Sequence, residues 1–565
     1  MKALEPVCLG AAEVWPPFTI PSGVITVNPD TIRRVAREVP IGLITTKSVG
    51  LRPYGGYAAP VFSQYSEDSL STAIGLSTPG LEAWLAEVRE LYPLDGKFLL
   101  LSIFGEKLGD FVELARALAP YCDGLELNFC CPHSLQYGEA VARQGDLTAE
   151  ITGAVRALTD KPVVVKLSPN VRDIGGWAKA LVAAGADAVA AIGPTTAVTV
   201  VDEHSGEPVL SFGSGGLSGP AILERGIECV SAIRAAVDVP IIAGGGISGA
   251  EDVAAYRRAG GNIFSVGTSL AGMDTATLRR FFELLLEEVA TGGTQAKEMA
   301  FSDWRLKHRP YRVGSVERRG DLAVLRFDRE LAAEPGQFVF AWLPGVGEKP
   351  YSVAGDDPLL LGVRKVGKVS EALYNLEPGD EVMVRGPFGK AFPLLEDAVL
   401  VAGGCGAVPL RFLAERLERP LVVLGAAREE ELLFREDFER RCETVLATDD
   451  GSAGLQGTAV DALAGAIRER GLKGAAFYNC GPEPMMAAAA SLERECTSPD
   501  RIMICVERHT CCGVGLCGKC SMDGYRTCVD GPCFRLSELG PDTAFGSYRR
   551  GPSGAREPLP GSECG

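Results

Sequence analysis

No run of about 18 consecutive apolar residues, the length a membrane-crossing helix needs, occurs anywhere in the chain. The N-terminal MKALEPVCLGAAEVWPP has too short an apolar core for a signal peptide. The expectation is a cytoplasmic protein with no membrane partner. Basic residues are scarce too: 56 Lys and Arg stand against 73 Asp and Glu, a net charge of −17. Nucleic acid and anionic bilayers require a clustered cationic face, so small molecules are the expected partners. Signs of disorder are missing, because 46% hydrophobic and 23% charged residues suffice to build buried cores. With 565 residues there should be more than one core, since single cores stop growing near roughly 250–300 residues.

Cysteine, by contrast, is plentiful and unevenly spread. Of the 17, seven fall between Cys505 and Cys533. A disulfide framework belongs to small secreted domains, so this clumping points to a metal cluster.

From about residue 40 to 290, short apolar runs alternate with amphipathic helical stretches. The runs are GLITTK, AIGL, FLLLSIFG, GLELNFCC, VVVKLSP, AVAAIG, PIIAGGG and IFSVGTS. Eight strands alternating with helices predict a closed parallel (β/α)8 barrel over 1–300, in preference to an open doubly wound sheet. After a linker at 301–311 the texture changes. Short strands with turn signals predict a small antiparallel barrel over 312–395. A strand, a Gly-rich turn and a helix then open an α/β nucleotide-binding domain over 396–500. A cysteine-rich cluster domain at 501–540 and a loose Gly/Pro/Ser-rich tail at 541–565 complete the expected order.

Barrel enzymes carry their chemistry at the C-terminal strand ends and often hold a phosphate beyond strands seven and eight. Gly244 to Gly246, then Gly267 and Thr268, occupy those ends and leave backbone amides open to a phosphate. Lys47 and Lys166 end two other strands, where a cation would stabilise an anionic reduced flavin. In the α/β segment Gly403, Gly404 and Gly406 open a helix whose N-terminus suits a pyrophosphate. Cys480 and Gly481 end a later strand, and acidic Glu429 to Glu431 favour NAD over NADP. In HTCCGVGLCGKCSMDGYRTC, four, two and seven residues separate Cys512, Cys517, Cys520 and Cys528. The first two gaps are those of a plant-type 2Fe-2S loop, with zinc as the alternative. Gly513, Gly515 and Gly518 permit its tight path. Cys505, Cys511 and Cys533 read as bystanders.

Residues 18 to 290 resemble the class 1 dihydroorotate dehydrogenase barrel through PSG at Pro21 to Gly23, TKS at Thr46 to Ser48, NFCCPH, VKLSPNV, GGLSGPAI, GGGIS and VGTS. The resemblance implies FMN held by Ser22, Gly23, Lys47, Lys166, Gly216, Ser218, Gly245, Gly267 and Thr268. It also implies that Cys131 is the catalytic base, with Cys130 turned to packing. Of the family's pocket asparagines only Asn128 is kept. Thr72, His133 and Gly193 stand where the others would be, so substrate identity stays open; the CCPH variant is closer to dihydropyrimidine dehydrogenases.

Residues 312 to 535 resemble the ferredoxin-reductase-like electron-transfer subunit of class 1B dihydroorotate dehydrogenase, through KPYSV, GKVS, GPFGKAF, GGCGAVPL, TDDGSAGLQG, CGPEPMM and the cysteine segment. This implies FAD against Tyr351, Ser352, Gly367 and Ser370, with Lys349 replacing the usual arginine, and NAD(H) against Gly403, Gly404, Gly406, Cys480 and Gly481. The leading expectation is NAD-linked oxidation of dihydroorotate, with electrons passing from FMN through 2Fe-2S and FAD to NAD. The alternatives are NADH-dependent reduction of a C=C bond in another substrate and electron delivery to a protein acceptor. Family barrels commonly dimerise, so a homo-oligomer is expected.

Overall fold

A computed structural model describes residues 3–130, 145–540 and 543–559 of the chain. They fall into two compact units. The first comprises Met1–Trp304 with Val514–Arg526 and Arg550–Ala555; the second comprises Arg305–Gly513, Thr527–Arg549 and Arg556–Gly565.

The first unit is built on a closed barrel of eight parallel strands, each beside its neighbours in sequence: β1 (Phe18–Ile20), β2 (Leu43–Thr45), β3 (Phe98–Ile103), β4 (Gly124–Asn128), β5 (Val163–Lys166), β6 (Ala188–Ala191), β7 (Ile241–Gly244) and β8 (Ile263–Ser265). β8 pairs back onto β1 through Phe264 and Phe18. The barrel is as expected, but one strand is not. The apolar run AIGL at 73–76 lies outside it, just after a strand of a separate antiparallel sheet (62–66, 69–72, 197–198 and 215–218). Its place is taken by Phe18–Ile20, a three-residue strand between Pro16-Pro17 and Pro21 that is too short to stand out as an apolar run.

Strand alternation sorts the barrel interior. Leu43, Leu100, Val164, Ala190, Ile242 and Ile263 pack as one cluster. Two residues further along the same faces come Thr45, Ser102 and Lys166, so the interior turns from apolar to polar toward the C-terminal ends of the strands. The first surrounding helix, Pro29–Glu38, starts where it does because Asn28 caps it, with a reciprocal bond from Thr31 and proline at the first position.

The second unit begins with a six-stranded antiparallel barrel: β9 (Arg309–Arg319), β10 (Leu322–Phe327), β11 (Phe338–Leu343), β12 (Gly347–Asp356), β13 (Leu359–Arg364) and β14 (Glu381–Phe388), in the order β9-β10-β13-β12-β11-β14. β9 already begins inside the expected linker. A seven-stranded sheet follows: β15 (Ala398–Gly403), β16 (Leu421–Ala426), β17 (Glu443–Thr448), β18 (Leu455–Gln456), β19 (Ala476–Cys480), β20 (Ile502–Cys505) and β21 (Cys533–Arg535). Its order is β18-β17-β16-β15-β19-β20-β21; only β21 runs antiparallel to its neighbour.

The cysteine-rich segment does not make a compact unit of its own. Some forty residues bury too little to do so. Val514–Arg526 belongs to the first unit. There Ile25 donates its amide to the Leu516 carbonyl (2.7 Å) and Gly272 to Val514 (2.8 Å), while Arg526 reaches the Met273 carbonyl (2.8 Å). The described part of the tail carries a hairpin, Tyr548–Arg550 with Arg556–Pro558. Arg550 is 3% exposed and is paired with Glu87 and Asp30. Composition cannot reveal such a distant pairing. No helix among the described residues is long and apolar enough to cross a membrane.

Candidate functional site

Because all eight barrel strands point one way, their C-terminal ends share one rim. Ser22, Lys47, Asn128, Lys166, Gly193, Gly245 and Gly267 all come to it. Beneath them runs a buried polar relay unforeseen from sequence. Ser102 donates to Glu126 (2.7 Å). Its proton thus committed, Ser102 accepts from Ser48 (2.8 Å), and Ser48 in turn accepts from Asn128 Nδ2 (2.8 Å) and Ser22 (2.9 Å). Asn128 Oδ1 accepts the Cys130 amide (3.1 Å), so both ends of that carboxamide are clamped while one hydrogen and one lone pair stay available. The signal was present in sequence: polar residues at alternate positions of otherwise apolar strands.

Cys130 is buried, and a Cβ on Gly193 would lie 2.6 Å from its sulfur, so only glycine fits at 193. Thr72 pairs in register with Gly216 in the antiparallel sheet, which brings an expected substrate residue beside an expected FMN residue. Cys131 and His133 lie outside the described residues.

The position expected for a phosphate is built by backbone. Gly245 (φ +119°) and Gly246 (φ +81°) adopt angles that favour glycine, and Tyr256 fixes the turn by donating to the Gly245 carbonyl (2.6 Å). Thr268 donates to Ser218 (3.0 Å), and no heavy atom lies within 4 Å of where a Gly23 Cβ would be. This cradle fits a flavin phosphate. An open cavity of about 520 Å³ lies beyond the ends of β5 and β6, lined by Asn170, Thr195, Thr196, Leu217, Arg172 and Arg225 among others. A smaller pocket of the same unit is walled by both Lys47 and Cys517 to Lys519.

In the second unit Tyr351 and Ser352 lie on β12. The Tyr351 hydroxyl is buried with no hydrogen-bond partner among the described residues, and burial raises its pKa. A buried, unsatisfied hydroxyl is costly, so it fits a site completed by a bound flavin. Gly367 has open space around it, as a pyrophosphate would need. Ser370 is otherwise engaged: it accepts the amides of Val366 and Gly367 (both 3.0 Å) and so caps the helix Lys368–Tyr374.

Glu348, near the start of β12, forms a buried ion pair with Arg385 of β14. Arg385 grips both oxygens of Glu348 (2.7 and 2.8 Å), and His308 bonds the same carboxylate (2.8 Å). Arg385 also donates to the carbonyls of Cys511 and Cys512 (both 3.0 Å). Burial alone would raise the Glu348 pKa, but the Arg385 guanidinium brings it down to about 2.

At the turn expected to meet a nucleotide the three glycines differ. Gly403 and Gly406 are required by packing, since a Cβ would collide with Met485 and with the Cys480 carbonyl, whereas Gly404 (φ +52°) is open. Glu429 to Glu431 are not a bare negative patch: Arg435 pairs with Glu429 (2.6 Å), and Arg428 with Glu430 (3.3 Å) and Glu431 (3.4 Å). Their repulsion of a 2′-phosphate is correspondingly weakened. Cys512, Cys517, Cys520 and Cys528 are all buried, and Gly513, Gly515 and Gly518 all have positive φ, as the spacing requires. Among the described residues no three His, Cys, Asp or Glu side chains are already grouped as metal ligands.

The family model for dihydroorotate dehydrogenase matches residues 8–288. The chain is 40% identical over 237 residues to the probable dihydroorotate dehydrogenase B (NAD(+)) electron transfer subunit of Pyrococcus abyssi, covering 41% of this chain and 92% of that protein. It is 36% identical over 257 residues to the catalytic subunit from the same organism, covering 45% and 83%. A solved structure of NADH-dependent reduced ferredoxin-NADP oxidoreductase aligns at 28% identity and TM-score 0.37, over 40% of this chain and 88% of that one.

Proposed function

The chain belongs to the dihydroorotate dehydrogenase family, and on that premise we propose that it oxidises dihydroorotate to orotate and passes the electrons to NAD within one polypeptide. One observation carries the reading: a single chain is similar over most of their lengths to both the catalytic and the electron-transfer subunit of the NAD-linked enzyme. Carrying both functions on one chain fixes their stoichiometry and raises their effective concentration.

The reaction removes a proton from the carbon beside a carbonyl and a hydride from its neighbour. Cys131, as thiolate, takes the proton; Lys47 and Lys166 supply positive charge at the rim; Asn128, clamped through Ser48, orients the substrate amide. The rim residues and Tyr351 would hold FMN and FAD, which would supply the hydride chemistry, and Cys512, Cys517, Cys520 and Cys528 would hold a 2Fe-2S cluster, which would supply single-electron transfer. Lys47, which would face the first flavin, and Cys517, which would be a cluster ligand, line one pocket, and this supports placing both groups in one chain.

The packing of Gly193 against Cys130 favours a second reading, because no side-chain amide fits at that position. A pocket missing such donors rejects a substrate that needs them. In that case NADH reduces a C=C bond of another substrate. Anaerobic flavin bleaching with dihydroorotate and other dihydropyrimidines, and reoxidation by orotate, uracil and thymine, separates the two. Rapid bleaching by dihydroorotate is expected; if no pyrimidine reacts, the first reading fails.

Cys131→Ala should slow that half-reaction by about 100-fold or more while leaving NADH-to-dye activity intact. The wild-type half-reaction should accelerate as pH rises toward the thiol pKa. A variant within a few-fold of wild type would place the base elsewhere. Cys517→Ala or Cys520→Ala should lose iron and substrate-to-NAD transfer but retain most NADH-to-dye activity. Full iron content and turnover in both variants would remove the cluster from these ligands.

A further inference from the structure

Two cysteines that sequence spacing leaves without a role are brought together at the edge of the nucleotide-binding sheet. Cys505 ends β20 and Cys533 begins β21, and the two are direct partners across an antiparallel pair. Their sulfurs are 3.6 Å apart, and neither is in a disulfide. The pairing type matters. Val506 donates its amide to the Pro532 carbonyl (2.9 Å), which makes 506 and 532 a hydrogen-bonded position, with its return bond missing because proline lacks an N–H. Hydrogen-bonded and open positions alternate, so 505 and 533 form an open pair, where Cα atoms approach to about 4.5 Å and side chains lie closest. That separation lies inside the range a disulfide spans.

A third thiol completes the group. Cys480, which ends β19, is the parallel partner of Cys505. The middle sulfur is thus flanked by two S–H donors, which stabilise its thiolate and draw its pKa below the usual thiol value. Burial, together with the hydrogen bond to Cys505, holds the Cys533 thiol protonated. As whole residues Cys505 and Cys533 are both half-buried. On the far side Cys533 meets Gly336, where a Cβ would lie 2.9 Å from its sulfur, so the backbone leaves room for this side chain and no more.

We propose that Cys505 and Cys533 are a peroxide-reactive pair that closes to a reversible cross-strand disulfide. The Cys505 thiolate attacks a peroxide oxygen, the O–O bond breaks, and Cys505 becomes a sulfenic acid as the leaving hydroxide takes up the proton the thiol had released and departs as one water. The Cys533 sulfur then attacks the Cys505 sulfur. Its proton joins the departing hydroxide as a second water, and the S–S bond forms. In total two thiols and one hydrogen peroxide give one disulfide and two waters. A dithiol restores both thiols by exchange. This site is independent of which substrate the barrel takes.

The test uses the full-length holoenzyme, treated with graded hydrogen peroxide, quenched with iodoacetamide and digested with trypsin. Cleavage after Arg501, Arg508, Arg526 and Arg535 releases Ile502–Arg508 and Thr527–Arg535. The expected result is a joined peptide, lighter by two hydrogens than the sum, holding the majority of Cys505 and lost on dithiothreitol treatment. Fragmentation must place the link on Cys533, since Cys528 lies in the same peptide. Cys533→Ser should abolish the link and leave Cys505 as a sulfenic acid trapped by dimedone. A link from Cys505 to Cys480 or Cys528, or overoxidised Cys505 in the wild type with no link to Cys533, overturns the proposal.

Discussion

Replacing Arg385 by methionine should destabilise the second unit by about 3–5 kcal/mol, because it leaves the buried Glu348 carboxylate without its countercharge. Arg385 and Glu348 are both fully buried on their side chains, so water cannot take the place of the lost partner. The same change releases the carbonyls of Cys511 and Cys512, which the guanidinium holds at the start of the cysteine loop. Guanidinium titration followed by the fluorescence of Trp342, which lies in the same barrel, provides the readout. Adding Glu348→Gln to Arg385→Met should recover a large part of the loss, since the uncompensated charge is then gone. A double variant no more stable than the single one would show that packing, not charge, sets the cost.

The sign of the pH dependence follows from the depressed Glu348 pKa. Its contribution is fully present above the unfolded value of 4.5 and is lost as pH falls toward about 2. Acid unfolding of the second unit should therefore lose this component in Glu348→Gln.

Glu493→Gln should produce an effect of similar size and opposite pH sense. Glu493 ends the helix Glu483–Glu493, is fully buried, and accepts one bond from Asn479 Nδ2 (2.8 Å). Its other oxygen and Asn479 Oδ1 have no partner among the described residues. Burial pushes the Glu493 pKa up to about 8. The folded chain thus keeps a proton there that the unfolded chain releases near 4.5. The group stabilises the fold fully below 4.5, and this stabilisation is lost as pH rises through about 8, on the order of 5 kcal/mol in all. Glutamine mimics the protonated acid and offers a donor to the neighbouring unsatisfied oxygen. Urea midpoints should therefore fall between pH 5 and 9 in the wild type and stay nearly flat in Glu493→Gln. Parallel curves for the two proteins would show that Glu493 is ionised in the fold.

Periodicity, composition and closely spaced motifs were enough to establish the parallel barrel, the antiparallel barrel and the α/β sheet, because each depends on residues near one another in sequence. Glycines before a helix encode their geometry locally in the same way. Phe18–Ile20 is not legible because three residues between prolines carry no period, whereas AIGL reads as an apolar run although it lies outside every strand, just after Ser69–Thr72. The contacts that give the site its character join residues far apart in the chain. Ser48 meets Asn128 across 80 residues, Glu348 meets Arg385 across 37, and Cys505 meets Cys533 across 28. No local propensity encodes such pairs. They exist because strand order and register fix which side chains face each other, and register is decided only when the whole sheet closes and buries one face of every strand.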